Sequence, residues 1–150
     1  MTGAMAGGEG RGDPSVPSIR ARAAFEGETE SIAEARRFAA DFLTRLRERG
    51  AAVSPGAAGS VQLVVSELVT NAMKYAPGPC LLDLELVGDR LEITVWDSSP
   101  ELPVVAPPEP GRVGGHGLEI VAALTLGLEV RRTPVGKCVT GRVAVLAAGT

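Results

Sequence analysis

The sequence predicts an α/β (α+β) two-layer sandwich, in which helices cover one face of a mixed, mainly antiparallel sheet. Two long segments carry apolar residues at helical spacing, and two pairs of segments alternate with period two around short turns. Their order along the chain is strand, helix, helix, hairpin, long loop, helix, hairpin. This order is typical of helices layered on a single sheet.

Composition limits the class of protein. The 150 residues suit one domain with an aliphatic core, because aromatic residues make up only 3% of the chain. A net charge of -3 without a basic run argues against direct nucleic acid binding. No apolar stretch could span a membrane and no signal-like segment stands at the N-terminus, so we expect a cytoplasmic protein. Cys80 and Cys138 are expected to be free thiols.

The start of the chain divides into a leader and the first two elements. Residues 1–19 are rich in Gly, Ala and Pro, which predicts disorder, and residues 20–150 form the predicted domain. A strand is expected at residues 20–25. Further along, Thr29 or Ser31 could cap a helix.

This first helix has clear signals at both ends. Glu34 stands three residues after Ser31, as in a capping box. Gly50 is a plausible C-terminal stop. Between them, apolar residues recur at helical spacing and arginines occupy much of the other face.

A second helix, predicted at about residues 58–76, carries the most informative pattern. Most of the segment is apolar, but Glu67, Asn71 and Lys74 are spaced by four and three residues and therefore share one face. Burying a charge without a partner is costly. The polar stripe therefore indicates either a site for a metal-bound phosphate or a helix with one solvated edge.

A hairpin follows, with strands predicted at residues 81–87 and 91–97. Period two places Asp97 on the buried face, in line with the aliphatic residues of its strand. A carboxylate at the buried end of a strand needs a hydrogen-bond donor. That donor is either a local cap in the next turn or a bound ligand.

The remaining segments contain a long loop and a second hairpin. Residues 98–116 are rich in Pro and Gly, which predicts a functional lid or a disordered segment. The loop ends in glycines at residues 114–117, just before an apolar helix at residues 118–126. Glycines that open a helix leave free backbone N–H groups, which can bind an anion. The last two strands are expected at residues 127–133 and 137–147.

These segments together resemble the histidine-kinase-like (GHKL, Bergerat-fold) ATPase superfamily over residues 20–146. Its first box has Glu and Asn four apart followed by a basic residue, as Glu67, Asn71 and Lys74 are here. Its second box begins with an Asp at a strand end, which corresponds to Asp97.

Two further motifs support the resemblance. The third box, a Gly-rich turn into a helix, corresponds to Gly115-His116-Gly117-Leu118, and a late Gly-Lys-x-x-Thr corresponds to Gly136, Lys137 and Thr140. The chain looks most like the short anti-sigma factor serine-protein kinases. Asp97-Ser98-Ser99-Pro100 fits that subgroup, although it lacks the glycines of the wider Asp-x-Gly-x-Gly pattern.

The resemblance implies ATP and Mg²⁺ as cofactors, with a role for each residue. Asn71 would coordinate Mg²⁺, and Glu67 would polarise the attacking hydroxyl or water. Asp97 would accept the adenine amino group. Lys74 could approach a phosphate, and Thr140 could support Asp97.

The Gly-rich turn would complete the cofactor-binding residues. The backbone N–H groups of Gly115, Gly117 and Leu118 would face the phosphates. His116 belongs to the same turn, with no role of its own.

The implied function is an ATP-binding transcription regulator, an anti-sigma factor with serine/threonine-protein kinase activity toward an anti-sigma antagonist. Its partners would be a sigma factor and that antagonist, and the subgroup commonly forms homodimers. The alternative is a nucleotide-responsive protein-binding module without significant kinase activity. A fragment of a sensor kinase would need an upstream phosphoacceptor, and a structural domain without ligand would not need the ordered boxes.

Overall fold

The computed structural model describes residues 19–75, 78–98, 121 and 125–147. Its elements follow the predicted order: β1 (Ile19–Phe25), α1 (Thr29–Glu48), α2 (Ala57–Tyr75), β2 (Cys80–Val87), β3 (Arg90–Asp97), β4 (Gly127–Thr133) and β5 (Gly136–Ala144). Of the predicted leader at residues 1–19, residues 1–18 lie outside the described residues, as do nearly all of the predicted lid and the Gly-rich turn, whereas Ile19 already belongs to β1. Neither α1 nor α2 is long and apolar enough to cross a bilayer.

The N-terminus of α1 differs from the prediction. Its N-cap is Glu28 rather than Thr29 or Ser31. Ser31 Oγ accepts a hydrogen bond from the Glu28 N–H at 3.2 Å, and the Ser31 N–H donates to the Glu28 carbonyl at 2.8 Å. Ser31 is thus the third residue of the helix, in the position where Glu34 was expected to complete a capping box. The C-terminal stop is confirmed, because Gly50 has a φ of 93° just after the helix.

The five strands form one sheet in the order β1-β2-β3-β5-β4. The predicted two-layer α/β fold itself is confirmed, but every pairing among the strands is antiparallel, whereas the sequence predicted a mixed, mainly antiparallel sheet. The reason is that β5 returns from β4 and inserts beside β3 in the opposite direction. This insertion pairs Asp97, at the end of β3, with Lys137, near the start of β5.

The two helices cover only one face of the sheet, here called the inner face. Its core residues are fully buried aliphatic side chains, and α2 supplies the opposing layer. The inner-face residues of β2, β3 and β5 include Leu82, Leu84, Leu91, Ile93, Val95, Val139 and Val143. The opposing residues of α2 include Val61, Val64, Val65, Leu68 and Val69. The helical and alternating periodicities of the sequence are thus confirmed.

The other face of the sheet, here called the outer face, is held by charged side chains. Arg20 contacts Asp83 through both carboxylate oxygens, with the shortest hydrogen bond at 2.7 Å. Arg142 donates to Glu129 at 3.1 Å and to Glu92 at 3.0 Å. These hydrogen bonds raise the pKa of both guanidinium groups.

The outer face also carries the single Trp of the chain. The Arg22 guanidinium carbon lies 5.7 Å from the centroid of the Trp96 ring. This distance is within the range of a cation–π contact. Long arginine side chains therefore cover the strand residues beneath them, and Asp83 is only 5% exposed.

The inner-face core gives a direct stability prediction. Leu84 is completely buried on β2, whereas Leu63 on α2 is 40% exposed. Leu84→Ala should lower the free energy of unfolding by about 2–5 kcal/mol, because it removes buried contacts and leaves a cavity. Leu63→Ala, the matched control, should cost well under half as much in urea denaturation. Equal losses for the two variants would contradict the assigned core.

Candidate functional site

The polar stripe of α2 lies on a flank of the helix rather than on its packed face. Glu67 and Asn71 are half-buried, and Lys74 is exposed. The Gln62 amide nitrogen lies 3.5 Å from the Arg36 carbonyl oxygen, which marks the flank of α2 that faces α1. Asn71 follows Gln62 by nine residues (71 − 62), which is a rotation of about 180°. Asn71, with Glu67 beside it, therefore faces away from α1.

The direction of α2 follows from two contacts with β5. Just before the helix, the Ser54 N–H donates to the Val145 carbonyl at 2.7 Å, beyond the C-terminal end of β5. Further along, Val64 packs on Gly141, since a Cβ added to that glycine would lie 3.6 Å from Val64 Cγ1. Helix α2 thus runs antiparallel to β5.

Because α2 runs antiparallel to β5, the polar stripe of α2 lies toward the end of the sheet that carries Asp97. From Val64 to Asn71 the helix advances about 10 Å, and from Gly141 back to Lys137 the strand covers about 13 Å. Asn71 and Lys137 are therefore at a similar height along the sheet. Because Lys137 pairs with Asp97, the C-terminal half of α2 and the end of β3 lie at the same end of the molecule.

Asp97 lies on the buried inner face, as its position in the strand predicts. Its side chain is 2% exposed, and Lys137 Nζ lies 2.8 Å from Asp97 Oδ2. The donor that the carboxylate needs is thus Lys137, rather than only a turn cap or a ligand. Sequence reasoning assigned Lys137 no role, although it is one of only two lysines in a chain otherwise rich in arginine.

A close backbone approach fixes this pair. A Cβ on Gly136 would collide with the Asp97 carbonyl oxygen and would lie 2.6 Å from Ser98 Cα. Only a glycine allows the start of β5 to come this close to the end of β3. The neighbouring Lys137 is therefore held beside Asp97 by the backbone itself.

One further titratable group, the thiol of Cys80, lies near Asp97 at this end of the sheet. Cys80, the first residue of β2, is buried, and burial together with the nearby charge of Asp97 raises the pKa of its thiol. A thiol with a raised pKa stays neutral at ordinary pH. The Cys80 thiol therefore adds no charge beside the ion pair of Asp97 and Lys137.

The geometry does not support the predicted role of Thr140 beside Asp97. Thr140 Oγ1 lies 2.9 Å from Thr94 Oγ1, and these two residues pair across β3 and β5. Thr94 precedes Asp97 by three residues, so their side chains are on opposite faces of the strand. Thr140 is therefore on the outer face, whereas Asp97 is on the inner face.

The outer face contains a cavity of about 460 Å³ next to Thr140. Its lining is charged and includes Arg20, Asp83, Glu92 and Arg142. Because the sheet separates this cavity from Asp97 and α2, it is not the site that the sequence motifs predict.

The four residues of the third box, Gly115, His116, Gly117 and Leu118, lie outside the described residues. The next described residue, Val121, is helical and completely buried, and its carbonyl accepts the Thr125 N–H at 3.0 Å. A Cβ on Gly141 would lie 3.7 Å from Val121 Cγ1, so Val121 packs on β5 next to Val64 of α2.

The two-layer fold, with helices on one face of an antiparallel sheet, is that of a class of ATPase domain. The chain belongs to the family of the histidine kinase-like ATPase domain, whose model matches residues 25–142. Among solved structures, it resembles the RsbU and RsbW domains of a protein from Mycobacterium tuberculosis, with a TM-score of 0.61 and 16% sequence identity. The match covers 88% of this chain and 33% of the other chain, and it supports the fold alone. No curated protein sequence matches the chain.

Proposed function

We propose that the protein is an ATP-binding regulator, an anti-sigma factor with serine/threonine-protein kinase activity toward an anti-sigma antagonist. The family supports nucleotide binding, and the similarity to a structure that contains an RsbW domain agrees with the subgroup implied by the sequence. The observation that carries the proposal is the shared location of the Glu67–Asn71 flank and Asp97 at one end of the sheet.

The residues present fit Mg²⁺ and ATP. Magnesium prefers oxygen ligands and usually keeps several waters, so it needs few protein ligands when phosphates are also bound. The Asn71 carboxamide is half-buried and offers such an oxygen. Among the described residues no group of three His, Cys, Asp or Glu side chains could form a metal cage. In this proposal Asn71 would hold the Mg²⁺ that accompanies the nucleotide.

In this proposal each side chain has a limited task. Asp97 would accept a hydrogen bond from the adenine amino group, and Asn71 would hold the Mg²⁺ that accompanies the phosphates. Lys74, which is exposed on the same side of α2, approaches a phosphate. Glu67 orients and polarises the attacking hydroxyl. Bound Mg²⁺ supplies charge neutralisation, which together with positioning accounts for most of the catalysis of phosphoryl transfer.

The partners belong to the proposal as well. A sigma factor would be bound in one nucleotide state, and a small antagonist would be bound and phosphorylated on a serine or threonine in another. A homodimer would be compatible with either state.

Three measurements test the proposal. Calorimetry with ATP and Mg²⁺ should show binding to the purified chain, and labelled ATP should transfer phosphate to a co-purified antagonist domain. Capture of partners from a lysate of the source organism, with and without ATP, should recover a sigma factor or an antagonist in a nucleotide-dependent manner. No ATP binding at millimolar nucleotide would reject the proposal, and binding without transfer would favour the nucleotide-responsive module.

Asn71→Ala should remove the metal-dependent part of nucleotide binding. Loss of even an outer-shell partner costs about 10–100-fold in metal affinity, so losing the ligand itself should weaken Mg·ATP binding by at least about 100-fold. Thr70→Ala, at the exposed neighbouring position of α2, is the control and should leave the affinity unchanged. Titration of each variant with ATP, with Mg²⁺ and with EDTA, measures the effect. An unchanged magnesium dependence in Asn71→Ala would exclude Asn71 as the ligand.

A further inference from the structure

Asp97 and Lys137 form a buried ion pair, and the stability of the fold does not by itself explain why this pair is buried. The Lys137 side chain is 0% exposed and the Asp97 side chain is 2% exposed. Removing two charges from water is costly, and a buried ion pair can often be replaced by apolar residues without loss of stability. A buried lysine that contacts the proposed base-recognising carboxylate therefore has a reason beyond packing.

The contact also fixes the geometry of the carboxylate. Lys137 Nζ lies at 2.8 Å from Oδ2 of Asp97, and the close approach of Gly136 to the Asp97 backbone holds the two strand ends together. The ammonium is fully enclosed, so it cannot rotate into solvent. The carboxylate of Asp97 is thus held in one orientation by its contact with the Lys137 side chain.

An ionised carboxylate only accepts hydrogen bonds, whereas a protonated one also donates. The 6-amino group of adenine is a donor, and the 6-oxo group of hypoxanthine or guanine is an acceptor. An acceptor-only Asp97 therefore favours the 6-amino group and repels the 6-oxo group. A buried carboxyl without a counter-charge tends to take up a proton instead, which would remove this distinction.

We propose that Lys137 is a positioning residue that keeps Asp97 an acceptor-only group and thereby sets the preference of the site for 6-aminopurine over 6-oxopurine nucleotides. This inference rests on the proposed nucleotide-binding function and adds a residue and a specificity to it. The surroundings of Asp97 are consistent with this role of Lys137. Among the described titratable groups, the Cys80 thiol also lies near Asp97, and its raised pKa keeps it neutral.

The test compares ATP with ITP, which differ at the purine 6 position. Calorimetric titration with Mg²⁺ should show that the wild-type protein binds ATP more tightly than ITP. In Lys137→Met the ratio of the two affinities should fall at least about tenfold, which corresponds to about 1.4 kcal/mol. A purely structural role for Lys137 would weaken both nucleotides equally and leave the ratio unchanged.

Two comparisons keep the result interpretable. Arg142→Met, which breaks the two outer-face ion pairs of a residue on the same strand, should leave the ATP:ITP ratio at the wild-type value. In an Asp97→Asn background, adding Lys137→Met should change the ratio little, because Lys137 acts through the carboxylate. If Lys137→Met does not fold, Lys137→Gln, which removes the charge but keeps a donor, should show the same fall in the ratio.

The outcomes separate the two proposals. A wild-type ATP:ITP ratio in a folded Lys137 variant overturns the role of Lys137 and leaves the proposed function intact. If Lys137→Met lowers the ATP:ITP ratio as much in the Asp97→Asn background as in the wild type, the role of Lys137 is also overturned. The effect of Lys137 would then not pass through Asp97. A wild-type protein that binds neither nucleotide overturns the proposed function and this inference with it.

Discussion

Glu67→Gln is expected to reduce phosphoryl transfer by about 10²–10⁴-fold, the usual contribution of a general base. ATP affinity should change little, because Asn71 and Asp97 are the residues assigned to the metal and the base. The substitution keeps the size of the side chain and removes only its charge and basicity. Single-turnover transfer from labelled ATP to an antagonist domain, beside a calorimetric titration of ATP, measures the two effects separately.

The result also decides between the two proposed activities. Glu48→Gln, at the exposed end of α1, is the control and should transfer phosphate at the wild-type rate. Wild-type transfer by Glu67→Gln would show that another group serves as the base. If the wild-type protein binds ATP and transfers nothing, the protein is a nucleotide-responsive binding module, and Glu67→Gln will have no kinetic effect to show.

Gly136→Ala should be among the most destabilising single changes outside the core. The added Cβ would meet backbone atoms of Asp97 and Ser98, which cannot move aside as a flexible side chain would. The start of β5 would have to separate from β3, at the upper end of the roughly 1–3 kcal/mol that over-packing costs. This separation would also move Lys137 from Asp97, so ATP affinity should fall together with stability.

Gly127→Ala is the matched control for this prediction. Gly127 begins β4 in the same hairpin, and a Cβ there would meet nothing within 4 Å. Urea denaturation should show little change for Gly127→Ala and a clear loss for Gly136→Ala. Equal stabilities would mean that the two strand ends can separate at little cost.

Features that depend on neighbours in sequence could be predicted well. The aliphatic face of α2 and the alternation in β2 and β3 follow from periods of 3.6 and 2 residues, and both are confirmed. The N-cap of α1 was misplaced by one to three residues, because Glu28 is not a preferred capping residue whereas Thr29 and Ser31 are. Local preference was overruled here by the hydrogen bonds between Glu28 and Ser31.

Features that depend on strand register were harder. Lys137 can pair with Asp97 only because β5 lies beside β3. The local sequence pattern does not predict which strands become neighbours in the sheet. Thr140 illustrates the same point, because it was placed beside Asp97 on the strength of a motif. Lys137 and Thr140 are three residues apart, so only one of them can share the face of Asp97. The odd spacing between Lys137 and Thr140 can be read from the sequence. Deciding which of the two shares the face of Asp97 also requires the pairing of β5 with β3.

The position of Trp96 gives the protein a natural optical probe. Trp96 directly precedes Asp97 in β3, yet its ring lies on the outer face beside Arg22, away from the proposed base site. A nucleotide bound at Asp97 would not stack on the ring, so a change in its emission would report a shift of the strand itself. Since no other Trp is present, this signal needs no label and no background correction from a second fluorophore of its kind.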